Sequence, residues 1–314
     1  MKVFDFSRFH PFGQLSLLLA FVIAGYCIFS FFMLLFGMTF LKEADLGEIF
    51  SLSSDSPGNF LSFLKWMQGF VQVGIMLIPA LIFAYFYGKK PFKMLKINKT
   101  NPSWAIWIAI VIPFIVLPLV GVLAEWNNAM KFPAFLASLE QYLRNMETSA
   151  AEMTKIFLHA ETVQGLLLNI LIIAIIPAIS EEFLFRGVLQ NIFKQWFRNI
   201  HWAVIVTALV FSAVHGQFFG FLPRFVLGLM LGYLFVMTRS IWAPTIAHFV
   251  NNGTATIVAF LQSQGVIETS AEEFGTMKNA EMWGLISAAA TVAIFYLLWK
   301  RNEKNCDQAH ETTL

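Results

Sequence analysis

Eight stretches of this 314-residue chain are apolar over lengths that reach or approach the roughly 20 residues a helix needs to cross a membrane. They run over 14–40, 64–87, 104–124, 164–197, 200–219, 222–238, 241–261 and 282–299. Inside lipid every backbone polar group must be satisfied within the chain, so such stretches predict helices. The expected fold class is therefore all-α, a polytopic membrane bundle of about eight transmembrane helices. Composition agrees, because hydrophobic residues make up 58% and charged residues only 13%, where soluble domains carry about a quarter charged residues. With a mean hydropathy of +0.67, the chain has too little polar surface to coat a water-facing globule. Disorder, a collagen-like repeat and a disulfide-stapled secreted scaffold are excluded on the same ground. A net charge of +2 gives no footprint for nucleic acid. Cys27 lies in an apolar run and Cys306 in a polar tail, so no disulfide is expected. The first stretch is too long, and lacks the small-residue cleavage site, for a signal peptide; it is expected to stay as an anchor.

Lys and Arg collect on cytoplasmic loops, which sets the orientation. Lys2 and Arg8 lie at the amino terminus, and Lys89, Lys90, Lys93, Lys96 and Lys99 follow the second stretch. Lys194, Arg198 and Arg239 mark later turns, and Lys300, Arg301 and Lys304 the tail. Loops of the other parity are acidic, with Glu43, Asp45, Glu48 and Asp55 after the first stretch and Glu268, Glu272, Glu273 and Glu281 before the last. The pattern predicts a multi-pass protein with both termini in the cytoplasm. Residues 125–163 form a polar insert with helical periodicity, read as two short amphipathic helices parted by Pro133: an interfacial cap or a lid that gates substrate. The loop at 42–63 looks the most mobile. The expected division is an amino-terminal three-helix region over 1–124, the insert over 125–163, a core over 164–261, and a last loop, helix and tail over 262–314.

Polar and ionisable side chains at membrane depth are costly and signal function. They concentrate in the fourth to seventh stretches as Glu181, Glu182, Arg186, His215, His248, Asn251 and Asn252. Glu182 and Arg186 stand at i, i+4 in the favoured order for a helical ion pair, which would fix one carboxylate. Glu181 is turned about 100° away and free to face something else. Adjacent acids of which one is partnered differ in proton affinity, as acid–base chemistry requires. Pro177 removes a backbone hydrogen bond one turn earlier and predicts a kink or wet pocket. The blander alternative is an ion pair at a helix end. Phe211 and His215 share a helix face; Glu181 and His215 each lie 17 residues from Arg198, so an antiparallel hairpin brings them to one depth. A lone histidine in a span is often only a packing residue. His248 and Asn252, at i, i+4, could hydrogen-bond a developing oxyanion, bind a metal through His248, or simply join helices. Gly228 and Gly232 form a GxxxG that reads as close helix packing.

Acids, histidines and an amide sharing a membrane cavity suit activation of water for attack on an acyl carbon. Glu181 would be general base with help from His215, His248 and Asn252 would stabilise the oxyanion, and Arg186 would hold Glu182. Asp5, Asp45, Asp55 and Asp307 all lie outside the apolar stretches, which removes an aspartyl dyad. Neither HExxH nor GxSxG occurs. Two histidines and a glutamate are a known zinc set, so a divalent metal on Glu181, His215 and His248 stays open, as does a metal-free site.

Three motifs together, Glu-Glu-x-x-x-Arg (Glu181, Glu182, Arg186), Phe-x-x-x-His (Phe211, His215) and His-x-x-x-Asn (His248, Asn252), resemble the CPBP family of intramembrane proteases. This is the CAAX-protease and bacteriocin-processing group, also called Abi or Rce1-like. The resemblance covers about 164–255 and implies a helix bundle around a catalytic cavity. It implies hydrolysis near the carboxyl end of a membrane-associated protein or peptide, prenylated in the eukaryotic relatives. It gives Glu181 and His215 the role of activating water, and His248 and Asn252 that of the oxyanion hole. The family is often labelled metallo-. The expected setting is a bacterial inner membrane, with the lipid bilayer and a peptide substrate as partners and no nucleic acid; the sequence leaves oligomeric state open. Two other functions remain. A non-proteolytic immunity or scaffold protein would not need the whole acid–histidine–amide set. A proton-coupled transporter would show polar groups in both halves of the chain.

Overall fold

The apolar stretches fold as helices, and prolines mark where those helices leave regular geometry. The computed structural model describes residues 4–40, 58–90, 92–99, 103–268 and 279–311, and every regular element among them is helical. Helix α1 spans Pro11–Phe40. The second span is composite: α2 (Gly58–Gln72), a π turn over Val73–Leu77, and α3 (Ile78–Phe86). The fourth is built alike, from α6 (Val163–Asn169), a π turn over Ile170–Ile175, α7 (Ile176–Glu182), a second π turn over Phe183–Leu189, and α8 (Gln190–Phe197). Pro79 and Pro177 each stand two residues past the end of a π turn. A proline cannot donate to the carbonyl four residues back and its ring crowds that carbonyl, so the helix widens there.

Between these spans lie α4 (Ser103–Asn128) and α5 (Ala137–Leu158). The last part of the chain adds α9 (Ile200–Ala213), α10 (Phe221–Thr238), α11 (Trp242–Ser263) and α12 (Ala280–Glu311). Each of the eight predicted stretches is helical over most of its length, the fifth only to Ala213, and among the described residues six helices are long and apolar enough to cross a membrane. The other two are α9, too short at 14 residues, and α11, whose apolarity is diluted by His248, Asn251 and Asn252.

The insert departs from expectation. Its first residues continue α4 to Asn128, and after Pro133 a single 22-residue amphipathic helix, α5, replaces the two short helices predicted. Pro133 sits at its start, before a short 3-10 turn over Ala134–Leu136, where a missing N–H costs nothing. Of the 42–63 loop, residues 58–63 open α2 and the rest lies outside the described residues.

Packing explains several residues at once. A Cβ on Gly228 would lie 3.0 Å from the Cβ of Ala208, and one on Gly232 would lie 2.8 Å from Val204, so the GxxxG brings α10 directly against α9. The same approach bares two backbone carbonyls, which accept from Arg186 (3.1 Å, Gly228) and Gln190 (3.2 Å, Gly232). In α4, Pro118 interrupts the hydrogen-bond ladder, and Ser287 of α12 fills the gap by donating to the Ile115 carbonyl and accepting from Leu119 N–H. One apolar core joins α1, α3 and the fourth span through Leu18, Phe83, Phe185 and Ile192; a second joins α4, α10 and α11 through Ile112, Val116, Leu234 and Ala247. The polar groups lie at the seam between these cores.

Candidate active site

The two acids face different ways, as their places on the helix require. Glu182 and Arg186 are each 0% exposed and pair at 2.7 Å through Glu182 Oε1 and Arg186 Nη1. That oxygen also accepts from His248 Nδ1 at 2.8 Å, the only direction in which an ionised carboxylate can take part. Arg186 is anchored further by the Gly228 carbonyl, and its guanidinium lies 4.6 Å from the Phe211 ring centroid. This buried group joins the fourth span to α9, α10 and α11 and fixes the tilt of His248.

Glu181 instead meets a residue of the second span. Gln72 Nε2 donates to Glu181 Oε1 at 2.9 Å, and Glu181 Oε2 lies 3.9 Å from His248 Nε2. His215 stands just beyond the end of α9. Its Nδ1–H donates to the Phe211 carbonyl at 2.7 Å, which leaves Nε2 with a lone pair to accept a proton. The Phe211 ring lies edge-on to both imidazoles, with centroids 5.1 Å from His215 and 6.0 Å from His248. The Phe-x-x-x-His spacing thus supplies a prop as well as an imidazole. Asn252 Nδ2 donates to the Ile173 carbonyl at 3.2 Å, the carbonyl to which Pro177 has no N–H to offer. One amide hydrogen of Asn252 remains for another acceptor, and its Oδ1 is held by Asn251 at 3.1 Å.

Glu181, His215, His248, Asn251 and Asn252 line a single cavity of about 190 Å³, while Glu182 and Arg186 sit behind it. A single water needs only about 10–15 Å³ by the same measure, so the cavity has room for water and part of a substrate. Two further polar residues were missed by the sequence reading. Gln72 is a neutral amide in a span otherwise taken as inert. Arg224 lines the cavity from α10, and the rule that flags ionisable groups at membrane depth, applied to 222–238, would have found it.

Helix α5 is tied across the turn that bears His215. Glu147 accepts from Gln217 Nε2 at 3.1 Å and from Phe219 N–H at 3.2 Å, and Arg144 lies 4.1 Å from the Phe219 ring centroid. Near the start of α5, the Phe132 backbone N–H, with Arg144 adding to it, holds the Glu140 carboxyl below the usual carboxylate range. Among the described residues no group of three His, Cys, Asp or Glu side chains is placed to hold a metal ion.

Fold and site together define a polytopic helical membrane protein with carboxylate, imidazole and amide side chains gathered around one cavity. Residues 163–254, under a third of the chain, match the family model described as Type II CAAX prenyl endopeptidase Rce1-like. Every motif residue falls inside that stretch; Gln72 does not. An Escherichia coli protein named "Uncharacterized 24.3 kDa protein" is 29% identical over 100 residues, covering 31% of this chain and 46% of that protein. The Bacillus subtilis (strain 168) protein named "Putative membrane peptidase YdiL" is 25% identical over 150 residues, covering 48% of this chain and 59% of that protein. The chain spans about half the length of these curated relatives. No solved structure matches.

The Gln72 contact carries an expected result. Gln72→Leu removes a donor to a charged acceptor, an interaction of about 1.5–3 kcal/mol. Glu181 then loses its orientation, and any turnover that depends on it falls roughly ten- to a hundredfold. Gln72→Glu places like charges side by side and should do worse. Unchanged turnover in both variants would show that Gln72 only packs.

Proposed function

We propose that the chain is an intramembrane endopeptidase that hydrolyses a peptide bond of a membrane-associated protein or peptide. One observation carries the reading. Glu181, His215, His248 and Asn252 line one cavity, and a separate buried pair, Glu182 and Arg186, fixes His248 from behind. In this reading 164–261 is the catalytic core, and the amino-terminal region supplies Gln72.

Glu181 takes a proton from water as the water oxygen bonds to the carbonyl carbon, and His215 Nε2 accepts that water's second hydrogen bond. The carbonyl electron pair moves onto oxygen, where the free amide hydrogen of Asn252 and Nε2–H of His248 receive it. Donation from His248 Nε2 needs the doubly protonated ring, whose charge the carboxylates 2.8 and 3.9 Å away offset. Collapse of the tetrahedral species breaks the C–N bond, and the proton held by Glu181 passes to the departing amine. Oriented donors of this kind are worth more in a water-poor cavity than at a surface.

Full-length protein in lipid nanodiscs, supplied with membrane-anchored peptides in H₂¹⁸O, tests the proposal. Mass spectrometry should find two fragments, with one ¹⁸O in the new carboxyl group. Intact peptides throughout would remove the assignment, and cleavage at the wild-type rate in the Glu181→Gln protein would take the role of base away from Glu181.

A further inference from the structure

Arg224 is the one cation lining the cavity, among the described residues, that the hydrolytic roles leave unused. It lies one turn into α10, and no carboxylate comes within ion-pair distance of it among the described residues, whereas Arg186 has Glu182 at 2.7 Å. Its Nη2 donates to a neutral group, Gln217 Oε1, and its Nη1 is buried with no hydrogen-bond partner among the described residues. Glu147 is reached only at one remove, since the Gln217 amide stands between it and Arg224. Gly220 fixes where the guanidinium lies. A Cβ at that position would sit 2.4 Å from Nη1 and 2.9 Å from Cζ, so any larger residue there would push the guanidinium from its present place.

A buried guanidinium edge without a partner is costly, and the planar fork of arginine matches a carboxylate with two parallel N–H···O bonds. The anion a plain peptide offers is a carboxylate. We infer that Arg224, seated on Gly220 and steadied by Gln217, is a carboxylate-binding subsite of the cavity and selects peptide substrates that present a carboxylate beside the scissile bond. The inference rests on the peptidase reading for its meaning. That carboxylate is either the free carboxyl terminus or an Asp or Glu side chain.

The test uses the full-length protein in nanodiscs and fluorescent membrane-anchored peptides in matched sets: free terminal acid against terminal amide, and internal Glu against Gln. Both kcat/KM and binding are measured for wild type, Arg224→Gln, Arg224→Lys and Gly220→Ala. Wild type should favour one carboxylate form by about ten- to a hundredfold, the scale of one or two charge-assisted hydrogen bonds. The pair that shows the preference names the source. In Arg224→Gln the ratio should fall to about one, in Arg224→Lys only part way, and in Gly220→Ala it should fall although the charge is kept. Equal handling of both pairs by wild type, or an undiminished ratio in Arg224→Gln, overturns the subsite. Binding separates the two hypotheses. If no peptide is cleaved, the peptidase reading fails, and an acid-over-amide binding ratio lost in Arg224→Gln still upholds the subsite.

Discussion

Replacing Glu181 with Gln is expected to lower the rate of peptide hydrolysis by about 10²- to 10⁴-fold, the usual contribution of a positioned general base. The change is nearly isosteric, and the amide oxygen of Gln still accepts from Gln72 Nε2, so the contact that orients the side chain survives. What disappears is the ability to take a proton from water. His215→Ala, which removes the second acceptor but leaves Glu181 in place, should lose less. The double variant tests whether the two act as a unit, because groups that serve one proton transfer give losses far from additive. Initial rates of fragment release, with thermal unfolding recorded for each variant, measure all three. A Glu181→Gln protein as active as wild type, with equal stability, would move the base elsewhere. A strictly additive double variant would detach His215 from it.

The parts of this architecture that could be read in the sequence follow from length and charge. An apolar run of about 20 residues satisfies its own backbone in lipid only as a helix, so such runs mark the spans, and the cost of burying ionised groups makes Glu181, Glu182, Arg186, His215 and His248 conspicuous. The pairing of Glu182 with Arg186 was legible because i, i+4 neighbours meet on any helix, even where it widens into a π turn. Less legible were contacts set by tertiary placement. Nothing in the spacing says that the oxygen holding Arg186 also holds His248, 66 residues away. Gln72 escaped because a single neutral amide barely alters the hydropathy of its span, although it reaches the candidate base from 109 residues away. Pro177 announced a disturbance without its form. The disturbance is a π turn, and Asn252 uses the Ile173 carbonyl within it. The insert was misread in detail because the polar residues after Asn128 gave no sign that α5 would run unbroken for 22 residues.

Arg186→Met should cost about 3–5 kcal/mol of stability, the penalty for leaving one member of a buried ion pair behind. Glu182 is wholly buried, and without Arg186 its Oε1 keeps only His248, while the Gly228 carbonyl and the Phe211 face each lose a partner. The loss should register as a markedly lower unfolding temperature in detergent. The instructive comparison is Arg186→Met with Glu182→Met. Replacing both charges with apolar groups of similar size is often neutral or stabilising, so the double variant should recover most of the unfolding temperature lost by the single one. It should not recover hydrolysis. His248 Nδ1 would have no carboxylate to donate to, and its ring would be neither aligned nor charge-compensated for donation from Nε2. Stability regained with activity still absent would assign the buried pair to positioning His248. If the double variant regains both, the pair only holds helices together, and the orientation of His248 must come from the Phe211 ring and the walls of the cavity.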